Sequence, residues 1–203
     1  MYLVRPPYLY KKILSKAIWR LNPLEKKIYL TFDDGPIPEV TSWVLNLLRQ
    51  STIKATFFCV GENVAKNPEI FNQIIEDGHS IGNHTFNHLN GWNTDTNKYI
   101  QNIKLCDELV HSNLFRPPYG KLKPTQSLLL NPKYKVIMWD VLSGDYDKET
   151  PPEKCLKNVN DNVRNGSVIL FHDSLKAQLN MQYALPLFIS YAKEKGFQFA
   201  RLE

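Results

Sequence analysis

Short apolar runs alternate with amphipathic segments along most of this sequence. The runs Ile28 to Phe32, Ala55 to Val60 and Val168 to His172 have the length and the β-branched and aromatic content of buried strands. Between such runs, apolar residues recur at helical spacing, as in Glu39 to Gln50 and Asp95 to His111. Strands that alternate with helices in one chain predict a mostly parallel sheet covered by helices.

Turn and cap residues mark the other predicted elements. One helix has Asn67 as its N-cap, Pro68 at its first position and Gly78 as its terminator. The further predicted elements are strands over 79–82 and 134–141, a short strand before Arg116, a helix from Thr150 to about Asn165, a last helix kinked at Pro186, and a strand from Phe197 to Leu202. About seven strands of this kind predict a barrel or a doubly wound sheet, in which active-site residues collect at the carboxyl ends of the strands.

Residues 8–21, ahead of the strands, carry a separate pattern. Apolar residues at helical spacing face one side and basic residues the other, which predicts an amphipathic helix. The apolar positions are Leu9, Ile13, Leu14, Ala17, Ile18 and Leu21. We favour a lid packed on the body, because apolar helix faces usually dock on a core; the alternative is a membrane-surface anchor. The chain is therefore divided into a helix and connector over 1–26 and one domain over 27–203.

Composition and charge narrow the class of protein. The 203 residues are 43% hydrophobic and 22% charged, which suits one globular domain with a substantial core. The net charge of +5 is modest and, outside residues 11–20, is not gathered into runs, so we expect no nucleic-acid partner. The three cysteines, Cys59, Cys106 and Cys155, lie far apart in the sequence and are expected to be free thiols.

The sequence shows no readable targeting or membrane-spanning segment. No apolar run approaches the roughly 20 residues that span a bilayer, and no uninterrupted apolar region precedes a small-residue cleavage site. A cytoplasmic location is the default expectation, and the oligomeric state stays open.

Two adjacent carboxylates end the first predicted strand of the domain. Asp33 and Asp34 follow the apolar run from Ile28, and Gly35-Pro36 supplies a bend directly after them. Neighbouring anions repel, and both can serve one site only where the strand ends and bends. A cation beside one carboxylate would relieve the repulsion and leave the other free to act as a base.

His84 and His88 are the candidates for holding that cation. Their spacing of four residues is the one that, on a helix, brings two imidazoles to the same metal ion. With one carboxylate of Asp33-Asp34 they would form a site of two histidines and one carboxylate, which leaves positions open for water and substrate. Zinc suits these ligands best, with cobalt or nickel as alternatives. A pair of surface histidines is the competing interpretation.

Five stretches of this sequence resemble the motifs of the polysaccharide deacetylases of carbohydrate esterase family four, the NodB homology domain. They are Thr31-Phe32-Asp33-Asp34-Gly35-Pro36, Asn83-His84-Thr85-Phe86-Asn87-His88, Arg116-Pro117-Pro118-Tyr119-Gly120, Trp139-Asp140-Val141-Leu142-Ser143-Gly144-Asp145-Tyr146 and Ile169-Leu170-Phe171-His172-Asp173. The resemblance covers about residues 28–202. It implies an α/β fold, a distorted (β/α) barrel of about seven parallel strands with an extra N-terminal amphipathic helix, and metal-dependent removal of acetyl groups from N-acetylated sugars.

The resemblance also implies roles for individual residues. Asp34, His84 and His88 match the metal ligands, and Asp33 matches the base that takes a proton from the attacking water. His172 matches the general acid that protonates the departing amine. The implied supporting residues are Arg116, which would orient Asp33; Asp145, which would hold His172 charged; Tyr119 with its neighbour Pro118, at the oxyanion; and Leu170 and Tyr146, as walls of the substrate pocket.

The sequence departs from the family pattern at two positions. Leu89 follows His88 where the family usually has proline, which changes how the chain leaves the site but removes no ligand. Tyr146 stands where tryptophan is common, so the aromatic wall of the substrate pocket differs and the substrate preference stays open. Asp145 shares its loop with Asp140 and Asp147, either of which could instead hold the acid. Two other functions remain as alternatives: an amide hydrolase acting on small nitrogen compounds, and a non-catalytic glycan-binding module.

Overall fold

The computed structural model describes residues 2–203 and contains one mainly parallel sheet. Its strands are β1 Lys27–Asp33, β2 Thr56–Cys59, β3 Ser80–Asn83, β4 Leu114–Phe115, β5 Lys135–Val136, β6 Val141–Leu142, β7 Val168–His172 and β8 Gln198–Ala200. The strand order is β5-β4-β3-β2-β1-β7-β6, and β8 pairs with β1 outside this path. The seven strands of the path curl into the distorted (β/α) barrel that the sequence predicts.

Eight α-helices pack around the sheet in the described part of the chain, residues 2–203. They are α1 Tyr8–Ile13, α2 Pro38–Ser51, α3 Gly61–Lys66, α4 Pro68–Glu76, α5 Thr96–Val110, α6 Pro124–Leu130, α7 Pro152–Asn160 and α8 Gln178–Glu194, with a 3-10 turn over Pro118–Gly120. Proline occupies the first turn of several of them, where its missing N–H would have no partner in any case. Among residues 2–203, no helix is long and apolar enough to cross a membrane.

Strand β1 lies at the centre of the sheet and is buried on both faces. Stacked aromatic rings on its neighbours, such as Phe57 of β2 against Phe32, fill the core beside it. In register, Asp33 lies opposite Phe58 of β2 and His172 of β7. The carboxylates that end β1 therefore lie beside the histidine that ends β7, because parallel neighbouring strands finish at the same edge of the sheet.

The predicted helix over residues 8–21 is wrong in its extent, because α1 ends at Ile13. Beyond it the chain turns over residues 14–17, and its backbone then pairs with the sheet: Ile18 forms a parallel bridge to Ile137 and Arg20 an antiparallel bridge to Ser167. Ile137 directly follows the edge strand β5 and Ser167 directly precedes β7, which lies between β1 and β6, so this segment connects one edge of the sheet to the start of β7. Hydrogen bonds from the N–H of Ile18 to the carbonyl oxygen of Val136 and from that of Leu21 to Gly166 replace those that a longer helix would make.

Burial divides the N-terminal region in two. Helix α1 contains no buried residue, and Leu9 is 70% exposed. Leu14, by contrast, is 2% exposed and shares a buried cluster with Trp19, Phe115 and other side chains. The docked part of the region is therefore the segment after α1, beginning with the turn at Leu14.

Two leucine substitutions test this division. Leu14→Ala should lower the free energy of unfolding by about 2 to 4 kcal/mol, the usual cost of emptying a buried leucine site. Leu9→Ala, the matched control, should change it by less than about 0.5 kcal/mol. Urea denaturation followed by circular dichroism measures both, and equal effects of the two substitutions would contradict the division.

Other boundaries also differ from prediction. The strand predicted over 134–141 is two short strands, β5 and β6, which pair with different neighbours. The helix predicted to reach Asn165 ends at Asn160, and helices α3 and α6 were not predicted at all, because both are too short for a periodic pattern. The predicted free thiols Cys59, Cys106 and Cys155 are buried free cysteines.

Candidate active site

Asp33 is buried and paired with an arginine. Its Oδ1 accepts a hydrogen bond from Nη1 of Arg116 at 2.7 Å. Its Oδ2 lies 3.7 Å from Nε2 of His84. One carboxylate oxygen is thus held by Arg116, while the other faces the histidine cluster.

Arg116 is itself fixed from several sides. It is fully buried, its Nε and Nη2 donate to the carbonyl oxygens of Ile137 and Met138 at 3.2 and 2.9 Å, and its guanidinium lies 4.1 Å from the centre of the Phe58 ring. Nη1 also donates to Thr31 at 2.8 Å. Because its donors are committed to fixed acceptors, Arg116 can orient the Asp33 carboxylate without reaching the solvent.

Asp34, His84 and His88 form a group that could hold a metal ion. One ligand atom from each lies within 4.8 Å of the other two. Oδ1 of Asp34 is 3.2 Å from Nε2 of His88 and 3.9 Å from Nε2 of His84. Two imidazoles and a carboxylate converging in this way are a donor set suited to zinc and to neighbouring transition metals.

The two histidines converge through a loop, so the helical geometry that their spacing of four residues would allow is not the one used. His84 directly follows β3, and the chain then turns through Thr85 and His88, which both have positive φ angles. Leu89 replaces the proline usual in the family, and its N–H donates to Oγ1 of Thr85 at 3.0 Å, a bond that proline could not make. At this position, where the sequence departs from the family pattern, the Leu89–Thr85 hydrogen bond therefore closes the loop.

Hydrogen bonds and burial favour the metal-binding form of these ligands. Nδ1 of His84 donates to the carbonyl oxygen of Arg116 at 2.7 Å, which leaves Nε2 unprotonated towards the carboxylates. Burial lowers the pKa of His84 to about 4, so the ring is neutral near pH 7. Burial would raise the pKa of Asp34, but the hydrogen bond to His88 and the charges of His172, His84 and His88 outweigh it and hold this pKa below its usual value.

His172 is bonded twice to Asp145. Its Nδ1 donates to Oδ1 and its backbone N–H to Oδ2, each at 2.8 Å. Burial would lower the pKa of His172, but the charge and hydrogen bond of Asp145 outweigh it and raise this pKa to about 9. The two other aspartates that could have held His172 are bonded elsewhere. Asp140 pairs with Arg5 and Arg164, and Asp147 accepts a hydrogen bond from the backbone N–H of Glu149.

These groups share a cavity of about 620 Å³. Of the residues singled out in the sequence, its walls include Asp33, Asp34, His84, His88, Tyr119, Tyr146, Leu170 and His172. Arg116 and Asp145 are fully buried and contact the site through Asp33 and His172, while Pro118 is buried and not part of the wall. Tyr119 has a left-handed backbone, and its hydroxyl lies 3.2 Å from Nδ1 of His88.

Several wall residues were not singled out as site residues. They are Gly120, Lys121, Trp139, Leu142, Ser174 and Lys176. Each either lies within one of the five quoted stretches or follows one by no more than three residues. Lys121, Ser174 and Lys176, the polar members of this set, would be included if those stretches were extended by three residues.

Asp173 holds the bend after β1. Its carboxylate accepts from the N–H of Gly35 at 3.0 Å and from the hydroxyl of Thr41 at 2.6 Å, and burial raises its pKa to about 8. A Cβ on Gly35 would lie 1.9 Å from this carboxylate, which explains the glycine at this position. Asp173 therefore stabilises the turn that carries Asp34, and does not cap the following helix.

A barrel with two histidines and carboxylates converging at the carboxyl ends of its strands has the layout of a hydrolytic metal site. The comparisons identify the family. A family model described as polysaccharide deacetylase matches residues 20–133. A peptidoglycan-N-acetylglucosamine deacetylase of Bacillus cereus is 34% identical over 188 residues, 89% of this chain and 88% of that protein. The chain belongs to the polysaccharide deacetylase family.

Other relatives agree with this assignment. A chitooligosaccharide deacetylase of Azorhizobium caulinodans is 37% identical over 173 residues, 79% of this chain and 80% of that protein. The crystal structure of the peptidoglycan N-acetylglucosamine deacetylase Bc1960, solved with a naphthalenyl N-hydroxybenzamide, superposes with a TM-score of 0.89. It shares 31% identity, and the match covers 97% of this chain and 95% of that one.

Proposed function

We propose that this protein removes the N-acetyl group from N-acetylglucosamine residues of a polysaccharide, with Asp33 as base and His172 as acid. The observation that carries the proposal is the sharing of one cavity by three ligand candidates, a carboxylate held by Arg116 and a histidine held by Asp145. Hydrolysis of an unactivated amide needs all three functions, because water is a weak nucleophile and an amine leaves poorly unless it is protonated.

The donor set of Asp34, His84 and His88 fits a divalent transition metal. His84 is neutral, its Nε2 is free of protons, and its Nδ1 is fixed by a backbone carbonyl, as is usual for metal-bound histidines. We propose zinc as the resident ion, with cobalt or nickel able to replace it. Such an ion, when bound, polarises the acetamide carbonyl and lowers the pKa of water.

The chain's own residues divide the proton transfers. Asp33 takes a proton from the attacking water through Oδ2, while Arg116 holds Oδ1 by a hydrogen bond. His172 presents Nε2 to the cavity, because Nδ1 is committed to Asp145, and donates a proton to the departing amine. Each proton thus has a defined donor and acceptor atom.

The cavity wall fits an N-acetylated sugar. In this proposal the backbone N–H of Tyr119, positioned by Pro118, stabilises the oxyanion that forms on the acetyl group. Leu170 offers an apolar wall for the acetyl methyl group. Tyr146, whose ring centre lies 5.0 Å from that of His172, supplies an aromatic face for the sugar.

Peptidoglycan is the substrate class we favour, with chitin oligomers as the second. The names of the Bacillus cereus relative and of Bc1960 support the first, and that of the Azorhizobium caulinodans relative supports the second. Lys121 and Lys176 line the same cavity, and their charge suits a glycan whose substituents carry carboxylates. Chitin offers no such charge.

Acetate release from three polymers tests the proposed activity. The purified protein, supplied with zinc, should release acetate from peptidoglycan and more slowly from chitin oligomers, and should release little from acetylated xylan. Enzymatic assay of acetate, with mass spectrometry of the products, measures the reaction. Turnover of cyclic ureides without acetate release would favour the small-amide hydrolase, and binding of glycan without turnover would favour the binding module.

A further inference from the structure

The segment Tyr2 to Arg5 lies against the loop that carries Asp145. The carbonyl oxygen of Val4 accepts from the N–H of Leu142 in β6 at 2.9 Å. Nη1 of Arg5 pairs with the buried carboxylate of Asp140 at 2.9 Å. These bonds fix the segment to Asp140, directly before β6, and to Leu142, the last residue of β6, where the loop starts.

Tyr2 reaches furthest along this loop. Its hydroxyl oxygen accepts from Nδ2 of Asn158 at 2.9 Å and from the hydroxyl of Thr150 at 3.0 Å. Its ring covers Gly144, where an added Cβ would lie 2.1 Å from the ring and hydroxyl of the tyrosine. Its ring centre is 5.9 Å from that of Tyr146. Tyr2 therefore contacts the residues on both sides of Asp145.

The same contacts connect the segment to the candidate acid. Asn158, which bonds to Tyr2, also donates to the carbonyl oxygen of Ser143 at 2.8 Å, so the loop is held at its beginning as well. Asp145 in turn holds His172 by two hydrogen bonds. A shift of the loop would move Asp145 and with it the orientation of the His172 ring.

We infer that Tyr2 is a positioning residue for the general acid: it holds the loop of residues 143–146 so that Asp145 keeps His172 directed at the leaving amine. This inference rests on the proposed function, in which His172 is the acid. It separates two tasks within residues 2–22, since Leu14 and Trp19 stabilise the fold while Tyr2 acts on one catalytic group.

The experiment compares an amide with an activated ester. Only the amide needs a proton on its leaving group, since the nitrophenolate of 4-nitrophenyl acetate leaves unprotonated. Tyr2→Ala should lower kcat/KM for deacetylation of chitin oligomers on the order of tenfold, because small misplacements of a catalytic group are costly. Hydrolysis of the ester should change less than about twofold. Tyr2→Phe keeps the ring over Gly144 but loses the hydroxyl that accepts from Asn158 and Thr150, so it should lower the amide reaction less than Tyr2→Ala does.

Two controls make the result decisive. Leu3→Ala alters an exposed neighbour in the same segment and should leave both reactions unchanged. His172→Ala sets the reference for selective loss of the amide reaction. Suppose that His172→Ala loses mainly the amide reaction. If Tyr2→Ala then lowers both reactions equally, or lowers neither reaction, the positioning role is refuted and the proposed function stands. If the wild type releases no acetate, or His172→Ala is not selective, the proposed mechanism fails and the inference fails with it.

Discussion

Asp33→Asn should keep the metal ion and lower kcat by a factor on the order of 10² to 10⁴, the usual contribution of a positioned base. Asparagine preserves the shape of the side chain and can still bond to Arg116, but it accepts no proton from water. The three ligand candidates are untouched by the change. Elemental analysis of protein purified without added metal, together with the rate of acetate release, measures both effects.

Asp34→Asn is the matched control, because it changes the adjacent residue in the same way. It removes the carboxylate that lies against His88 and His84, so metal content should fall together with activity. A His84→Ala, His88→Ala double variant should lose the ion as well. If Asp33→Asn releases the metal while Asp34→Asn retains it, the roles of the two carboxylates are reversed; unchanged metal content in the double variant would defeat the ligand assignment.

The sequence predicts the site better than it predicts the way the chain builds it. An apolar run that ends in Asp33 and Asp34 predicts a buried strand with carboxylates at its end, and β1 has both features. The spacing of His84 and His88 suggests convergence by analogy with a helical pair, whereas the structure achieves convergence on Asp34 through a loop with positive φ angles. Spacing alone does not report backbone conformation at such strained positions.

Tertiary contacts decide what local pattern leaves open. Asp140, Asp145 and Asp147 are equivalent in a sequence, and only the pairing of β6 with β7 brings Asp145 to His172. The N-terminal pattern fits a helix up to Leu21, but α1 ends at Ile13 and the later residues form bridges to Ile137 and Ser167. Both cases depend on partners more than 100 residues away or in another strand, which periodicity does not encode.

The pH dependence of kcat/KM should be bell-shaped, with its alkaline limb belonging to His172. The acid must carry a proton to donate one, and its pKa is raised to about 9 by Asp145, so activity should fall as the pH rises through that region. Asp34 and Asp33 also raise this pKa, and a bound cation would cancel part of their effect, which moves the limb of the metal-loaded enzyme to a somewhat lower pH. The contribution of Asp145 remains, because it is a direct contact.

Asp145→Asn and His172→Ala test whether His172 is the group whose titration causes the alkaline limb. Without the Asp145 charge, burial lowers the pKa of His172, so the limb should move to lower pH and the amide rate at neutral pH should fall. His172→Ala should remove the limb and slow the amide on the order of 10² to 10⁴, while the activated ester loses much less because its phenolate leaves without a proton. An alkaline limb that stays in place in Asp145→Asn, or a His172→Ala variant that slows ester and amide equally, would show that His172 is not the acid. Metal content must be unchanged in both variants, since neither residue belongs to the ligand group of Asp34, His84 and His88.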